Sequence, residues 1–373
     1  MLFRSVTGAN DTTLAGVLSG TGGRLVKEGA GTVTLTAANT YTAGTTLADG
    51  RLVAADHEAL GTGPLTVTGP AALEQGPGTT VLANDVALAA DLTVDAGADL
   101  LLAGRIIGAG TVIKQGAGTL TLSADNAFLG ATVAAGTLVG NTDSLSGNLA
   151  ADATAIFDQA ADGTFAGTIG GAGEVYKDGP GTLTLTAASP FTGTLTVRGG
   201  ALVLQGAVAG DVVNRARLCG SGTTGDLVNE AGGTVAPGNS IGITTVAGDY
   251  TQATGSTLEI ETDGARPRGP GSSHDLIDVG GTATLEAGST VRVLVANPGG
   301  FSIGERLIII DAVGGVTDAG ADIVTPAAGA ALLFRRDPAF TDGDGQYAIV
   351  TELGSLLDAA RGEENRLIAA ALD

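Results

Sequence analysis

Polar and apolar residues alternate strictly in Thr32-Val-Thr-Leu-Thr36, in Thr119-Leu-Thr-Leu-Ser123 and in Thr182-Leu-Thr-Leu-Thr186. A period of two puts Val33, Leu35, Leu120, Leu122, Leu183 and Leu185 on one face and the hydroxyl-bearing residues on the other. Threonine suits the outer side of such a strand, because its β-branched carbon packs well on a pleated surface. A Gly-x-Gly precedes each strand (Gly29/Gly31, Gly116/Gly118, Gly179/Gly181), and glycine gives a turn its permissive backbone angles. A lysine stands just before each turn. The pattern therefore predicts short strands, tight turns and connections too short for crossover helices.

The three segments are copies of one unit. Lys27–Tyr41 returns as Lys114–Phe128 and again as Lys177–Phe191, and each runs on to a second strand: Gly50-Arg-Leu-Val53, Gly136-Thr-Leu-Val139 and Gly200-Ala-Leu-Val203. A repeated unit of this size means stacking, since one copy alone cannot bury its apolar face. The lysines lie 87 and 63 residues apart. Unequal spacing argues against propeller blades. Both values lie near multiples of roughly 20 residues, a plausible length for one coil of a parallel β-solenoid. Tyr41, Phe128 and Phe191 are expected to stack inside a coil or cap its corner.

After Val203 the repeat fades. The stretch Gly264–His274 reads as a loop. Strands are expected at Asp275–Val279, Ala283–Leu285, Val291–Val295, Arg306–Ile310, Ala331–Phe334 and Tyr347–Val350. Only the tail reads as helix, with Ser355 as its cap and Leu356, Leu357, Ala360, Leu367, Ile368 and Leu372 as its apolar positions.

Composition supports this and removes some functions. Glycine numbers 62 of 373 residues, tryptophan is absent, and the net charge is −21. Such a field repels nucleic acid and anionic lipid, so no nucleic-acid partner is expected. The acids are scattered, which fits the solubility of a long surface better than cation binding. With the single cysteine Cys219, neither an internal disulfide nor a cysteine zinc site can form. The longest apolar run, from Ala327 to Phe334, is far short of a membrane span. The start, Met-Leu-Phe-Arg-Ser, has no signal-peptide core.

Candidate chemistry is thin. Gly238-Asn-Ser-Ile-Gly242 matches a nucleophile elbow, but a strand follows it where that motif needs a helix. The downstream histidine, His274, lies in a loop beside Asp275. A tight turn is the favoured reading of Ser240. His57 and His274 read as surface residues. Asp342-Gly-Asp-Gly345 reads as an acidic turn without the remaining ligands of a calcium loop. Outward threonines on the repeat strands count against a glycan-cleaving face, which needs grouped carboxylates. No catalytic, metal or cofactor-binding residue is nominated.

The unit Lys-x-Gly-x-Gly-Thr-Leu-Thr-Leu-Thr-Ala-x-Asn-x-Tyr/Phe resembles the passenger-associated repeat of bacterial autotransporters (type V secretion). Gly232–Gly242, Gly248–Gln252, Gly255–Ile260 and Asp275–Leu285 resemble the C-terminal passenger region of pertactin-like proteins. The resemblance covers roughly residues 14 to 350. It implies a right-handed parallel β-helix carried across the outer membrane by a C-terminal β-barrel, whose last coils fold first outside the cell. The expected organisation is a repeat-bearing β-helix over 1–230, a C-terminal passenger region over 231–350, and a helical linker over 351–373 leading toward a barrel that this chain does not contain. The expected function is a surface-displayed or secreted, adhesin-like stalk of a Gram-negative bacterium, not an enzyme. It would be a monomer whose partners are the barrel and host or bacterial surface molecules. The alternative is a β-helical hydrolase or lyase, or an esterase using Ser240.

Overall fold

The computed structural model describes residues 3–325 and 332–353. They form two compact units, one of residues 3–183 and 189–194, the other of the remainder. Among the described residues the regular structure is β-strand, with one 3₁₀ turn at Pro298–Gly300. The helix expected from Ser355 onward lies outside the described residues.

In the first unit the chain winds through parallel sheets in turn. One sheet stacks Phe3–Val6, Arg24–Lys27, Thr45–Leu47, Leu65–Val67, Val86–Leu88 and Ile106–Gly108. A second runs through Thr32–Leu35, Arg51–Ala54, Ala71–Gln75, Leu92–Asp95, Thr111–Gln115, Gly130–Val133 and Asn148–Ala151. A third, beginning at Val81–Leu82, takes in Leu100–Leu102, Thr119–Leu122, Thr137–Gly140, Thr154–Asp158 and Glu174–Asp178. Strand neighbours are one coil apart, and side chains bridge residues 20 positions distant. This is a parallel β-solenoid, as the repeats imply.

The alternation sorts the side chains as expected. Val33, Leu35, Leu120, Leu122, Leu183 and Leu185 are buried, and so are Tyr41, Phe128 and Phe191. Within each unit each coil adds a layer to a narrow core, so inward positions between neighbouring coils are packed above and below.

The register corrects one expectation. The repeats are not whole numbers of coils apart. Lys27 lies in the first sheet. The chain then returns to that sheet four times, at Thr45–Leu47, Leu65–Val67, Val86–Leu88 and Ile106–Gly108, and places Lys114 in the second sheet. From there it crosses the second sheet three times more and places Lys177 in the third. Each repeat thus sits one face further round than the last. The spacings differ because the chain returns four times in the first interval and three times in the second.

The second unit is built in the same way. Arg217–Gly220, Thr234–Pro237, Thr257–Asp263 and Thr290–Ala296 stack in one sheet. Ile243–Val246, Leu276–Val279 and Arg306–Ala312 stack in another. Three further strands, Tyr250–Gln252, Ala283–Leu285 and Val316–Asp318, line the third side. The last two strands break the pattern. Gln346–Leu353 pairs antiparallel with Arg306–Ala312, and Leu332–Arg336 antiparallel with Gln346–Leu353. This hairpin covers an edge of Arg306–Ala312 that would otherwise offer unpaired amides.

Candidate functional site

The lysine of each repeat occupies an inward position. Lys27 stacks between Val6 and Leu47, Lys114 between Val94 and Val133, and Lys177 beside Phe157. Their exposures are 1%, 0% and 0%. An ammonium in such surroundings must be hydrogen-bonded, and backbone carbonyls at the corner supply the acceptors. Lys114 Nζ donates to Gln115 O (2.7 Å), Gly116 O (2.7 Å) and Ala135 O (3.1 Å). Lys27 Nζ donates to Glu28 O and Gly29 O, and to Asp49 O at 3.0 Å. Lys177 Nζ reaches Asp178 O and Gly179 O at 2.8 and 3.0 Å. Burial pulls all three lysines below their usual range, while Asp49, Asp95 and Asp178 respectively push back.

Asp49 and Ala135 belong to the following coil. The ammonium therefore ties two successive turns together, and the second half of the repeat completes the lock. Gly136 stands at φ 67° over the preceding Gly-x-Gly corner, and a Cβ there would come within 2.7 Å of Lys114 Nζ. Gly50 stands in the same relation to Lys27. The lysine thus has a role that alternation alone does not assign. The signal in the sequence was a charged residue at an inward position in all three copies. We expect amine-reactive esters to leave Lys27, Lys114 and Lys177 unmodified in the folded chain and to label all three after denaturation. Peptide mass mapping of the two samples checks this.

The acids also have a use beyond solubility. Asp11, Asp91, Asp99 and Asp162 each accept the main-chain N–H of a threonine 20 or 21 residues on, at 2.7–3.1 Å. In the second unit Asp226 accepts Asp249 N–H, 23 residues on, and Asp249 accepts Thr282 N–H, 33 residues on. These amides hold the carboxyls of Asp11, Asp162 and Asp249 below the usual range. Such bonds clamp one coil to the next.

The Gly238–Gly242 segment is a corner between the strands Thr234–Pro237 and Ile243–Val246. Gly238 forms an antiparallel bridge with Gly220, and Gly242 N–H donates to Asp275 Oδ1 at 2.8 Å. The other Asp275 oxygen accepts Glu261 N–H at 2.7 Å. Burial, with Glu261 and Glu259 nearby, outweighs these amides and pushes the Asp275 carboxyl up to about 8. Ser240 is exposed. His274 is not the surface residue expected but is 3% exposed, because the loop before it folds back: Thr262 bridges to His274. Both its nitrogens are engaged, Nδ1 with Ser273 Oγ (3.0 Å) and Nε2 with Ile308 O (2.9 Å). It has no nitrogen left to serve Ser240 as a base. His57 is exposed, as expected.

Asp342 and Asp344 sit in a turn, and their carboxylates accept the amides of Asp318 and Thr341. Among the described residues no group of three or more His, Cys, Asp or Glu is placed to hold a metal ion.

The architecture defines a class: a parallel β-solenoid whose coils are locked at the corners by buried lysines and joined by carboxylate clamps. Comparison with known proteins narrows it. Residues 25–54, 112–139 and 175–204 match the passenger-associated-transport-repeat family, and these are the three lysine corners with the strands stacked on them. The adhesin BmaC autotransporter of Brucella suis biovar 1 (strain 1330) is 37% identical over 137 residues, 35% of this chain and 4% of that protein. An extracellular serine protease of Serratia marcescens is 38% identical over 95 residues, 25% of this chain and 9% of the relative. The chain therefore spans under a tenth of either relative's length. Its repeats, fold and relatives are those of an autotransporter passenger.

Proposed function

We propose that this chain is a structural segment of an autotransporter passenger, displayed on or released from the surface of a Gram-negative cell, and that it works by contact and not by catalysis. The observation that carries the reading is the coincidence of the three transport-associated repeats with the three lysine corners. A corner that ties each new coil to the last suits a chain that must fold progressively as it emerges. In this reading residues 1–230 form the repeat-bearing part. Residues 231–350 are the coils that fold first and assist passage, and 351–373 lead toward an outer-membrane β-barrel. The chain acts as a monomer. Commitment of both His274 nitrogens supports the non-enzymatic reading over a Ser240 esterase.

The test is display. Residues 1–373, fused ahead of an autotransporter barrel in a Gram-negative host, are expected to become accessible to added protease on intact cells. Replacing Lys27, Lys114 and Lys177 together by alanine is expected to reduce the displayed amount several-fold, whereas Ser240→Ala leaves it unchanged. Retention of the unaltered fusion inside the cell would defeat the reading.

A further inference from the structure

A cleft of about 290 Å³ opens in the second unit between the Gly238–Gly242 corner and the ends of the strands Thr257–Asp263 and Thr290–Ala296. Two polar side chains in it, the Ser240 hydroxyl and the Glu261 carboxylate, make no hydrogen bond or ion pair with any described residue. The charged groups around them are committed. Asp263 is bound by Arg266 and by Asn297 Nδ2 at 3.3 and 2.9 Å. Glu259 lies between Arg217 at 2.8 Å and Arg292 at 3.6 Å. Among the described residues the Glu261 carboxylate is thus left without an ion-pair partner: Arg217, which attracts it from further off, is bound to Glu259. Directly opposite it in register stands Leu294, 37% exposed, an aliphatic floor beside a bare carboxylate. The walls are held in place, since Asp275 accepts Gly242 N–H from one side and Glu261 N–H from the other. A site arranged in advance loses little freedom on binding.

We propose that this cleft receives a lysine or arginine side chain of a partner polypeptide. The aliphatic stem lies on Leu294 and Ile241, and the cationic head meets the Glu261 carboxylate with the Ser240 hydroxyl as second acceptor. Lys and Arg carry such an apolar stem and charged tip. An anionic group would be repelled by Glu261 and by a chain of net charge −21. A neutral sugar would satisfy Ser240 yet leave the carboxylate without a counter-charge. The same net charge draws basic partners toward the surface. That the side chain belongs to a separate polypeptide rests on the reading of this chain as a contact-making passenger; the cleft itself is tested without that reading.

Nα-acetyl-lysine methylamide, Nα-acetyl-arginine methylamide and the uncharged Nα-acetyl-norleucine methylamide are titrated separately into isotope-labelled residues 1–373. The amide resonances of Ser240, Ile241, Glu261 and Leu294 are followed. Saturable shifts are expected with the two cationic probes alone, weakening as salt is raised. In Glu261→Gln binding falls about tenfold, with a denaturation midpoint close to that of the parent chain because that carboxylate has no hydrogen bond or ion pair to lose. Ser240→Ala weakens binding less. The proposal is overturned by absent shifts, by an equal response to the norleucine probe, by undiminished binding in Glu261→Gln, or by saturable shifts with N-acetylglucosamine instead. Failure of surface display would leave this titration untouched, so the two readings fail separately.

Discussion

Replacing Lys114 by alanine is expected to destabilise the first unit by about 3–5 kcal/mol, seen as a lower midpoint in guanidinium denaturation. Two losses combine. Hydrogen bonds from a charged donor contribute about 1.5–3 kcal/mol, and acceptors left unpaired cost more than that contribution. Here Gly116 O and Ala135 O lose their donor, while Gln115 O keeps the Ala96 N–H at 3.0 Å. Deleting the buried stem between Val94 and Val133 also opens a cavity, itself a matter of about 2–5 kcal/mol for a side chain of this length. The two are not additive, because a collapsed corner admits water to the carbonyls. Lys114→Met separates them. Methionine restores most of the packing and none of the donors, so its midpoint is expected between those of the parent and the alanine variant. If Lys114→Met matches the parent, the ammonium is not the lock. Amide exchange adds a local readout: protection should fall at Ala134–Thr137, the strand entry resting on the corner, before it falls elsewhere.

Asp318 is the corresponding point in the second unit. Its side chain is 1% exposed and binds four donors. One oxygen accepts Gly320 N–H (2.9 Å) and Ala321 N–H (2.7 Å). The other accepts Arg336 Nη1 (2.9 Å) and Tyr347 OH (3.1 Å). Arg336 and Tyr347 belong to the antiparallel hairpin, so this carboxylate fastens the hairpin to the coil beneath. Asp318→Ala is expected to cost about 2–4 kcal/mol, below the usual figure for breaking a buried pair, because half-exposed Arg336 can turn to water. The Tyr347 hydroxyl, fully buried, cannot. Burial pushes the Asp318 carboxyl up, but the four donors together hold it below its ordinary value of 3.8. A carboxyl lowered by folding stabilises fully above 3.8 and stops doing so as pH falls through the lower, folded value. Amide protection over Tyr347–Ile349 should therefore persist at pH 4 and fade only in stronger acid. In the alanine variant it should be weak at every pH. Unchanged protection in that variant would show that the hairpin is held by other contacts.

The repeats made the strands, their inward face and the stacked architecture readable before any coordinates, because a period of two and a recurring Gly-x-Gly are local properties of the chain. The strand Ala283–Leu285 was legible in its full length, and the strand expected at Arg306–Ile310 runs two residues further, to Ala312. The short strands Val316–Asp318 and Asp322–Val324 were missed. Their sequences, Val-Thr-Asp and Asp-Ile-Val, carry too few apolar residues to set a period, and pairing with the coil below makes them strands. Ser240 was visible as a motif and His274 as its only downstream histidine. That His274 is buried and already bound depends on the path of the loop Gly264–Ser273, which no local pattern encodes.

Local alternation and turn chemistry in this chain specify β-strands, which face is apolar, and that the units must stack, since each is too small to bury itself. Where each repeat sits around the solenoid was decided only in three dimensions. Between one repeat and the next the chain completes its returns to a sheet and then goes one face further, so Lys27, Lys114 and Lys177 occupy successive faces. The partners of those lysines, of Asp318 and of Asp275 lie up to 33 residues away. Contacts made across coils depend on register, and register is a property of the whole stack and not of any one strand.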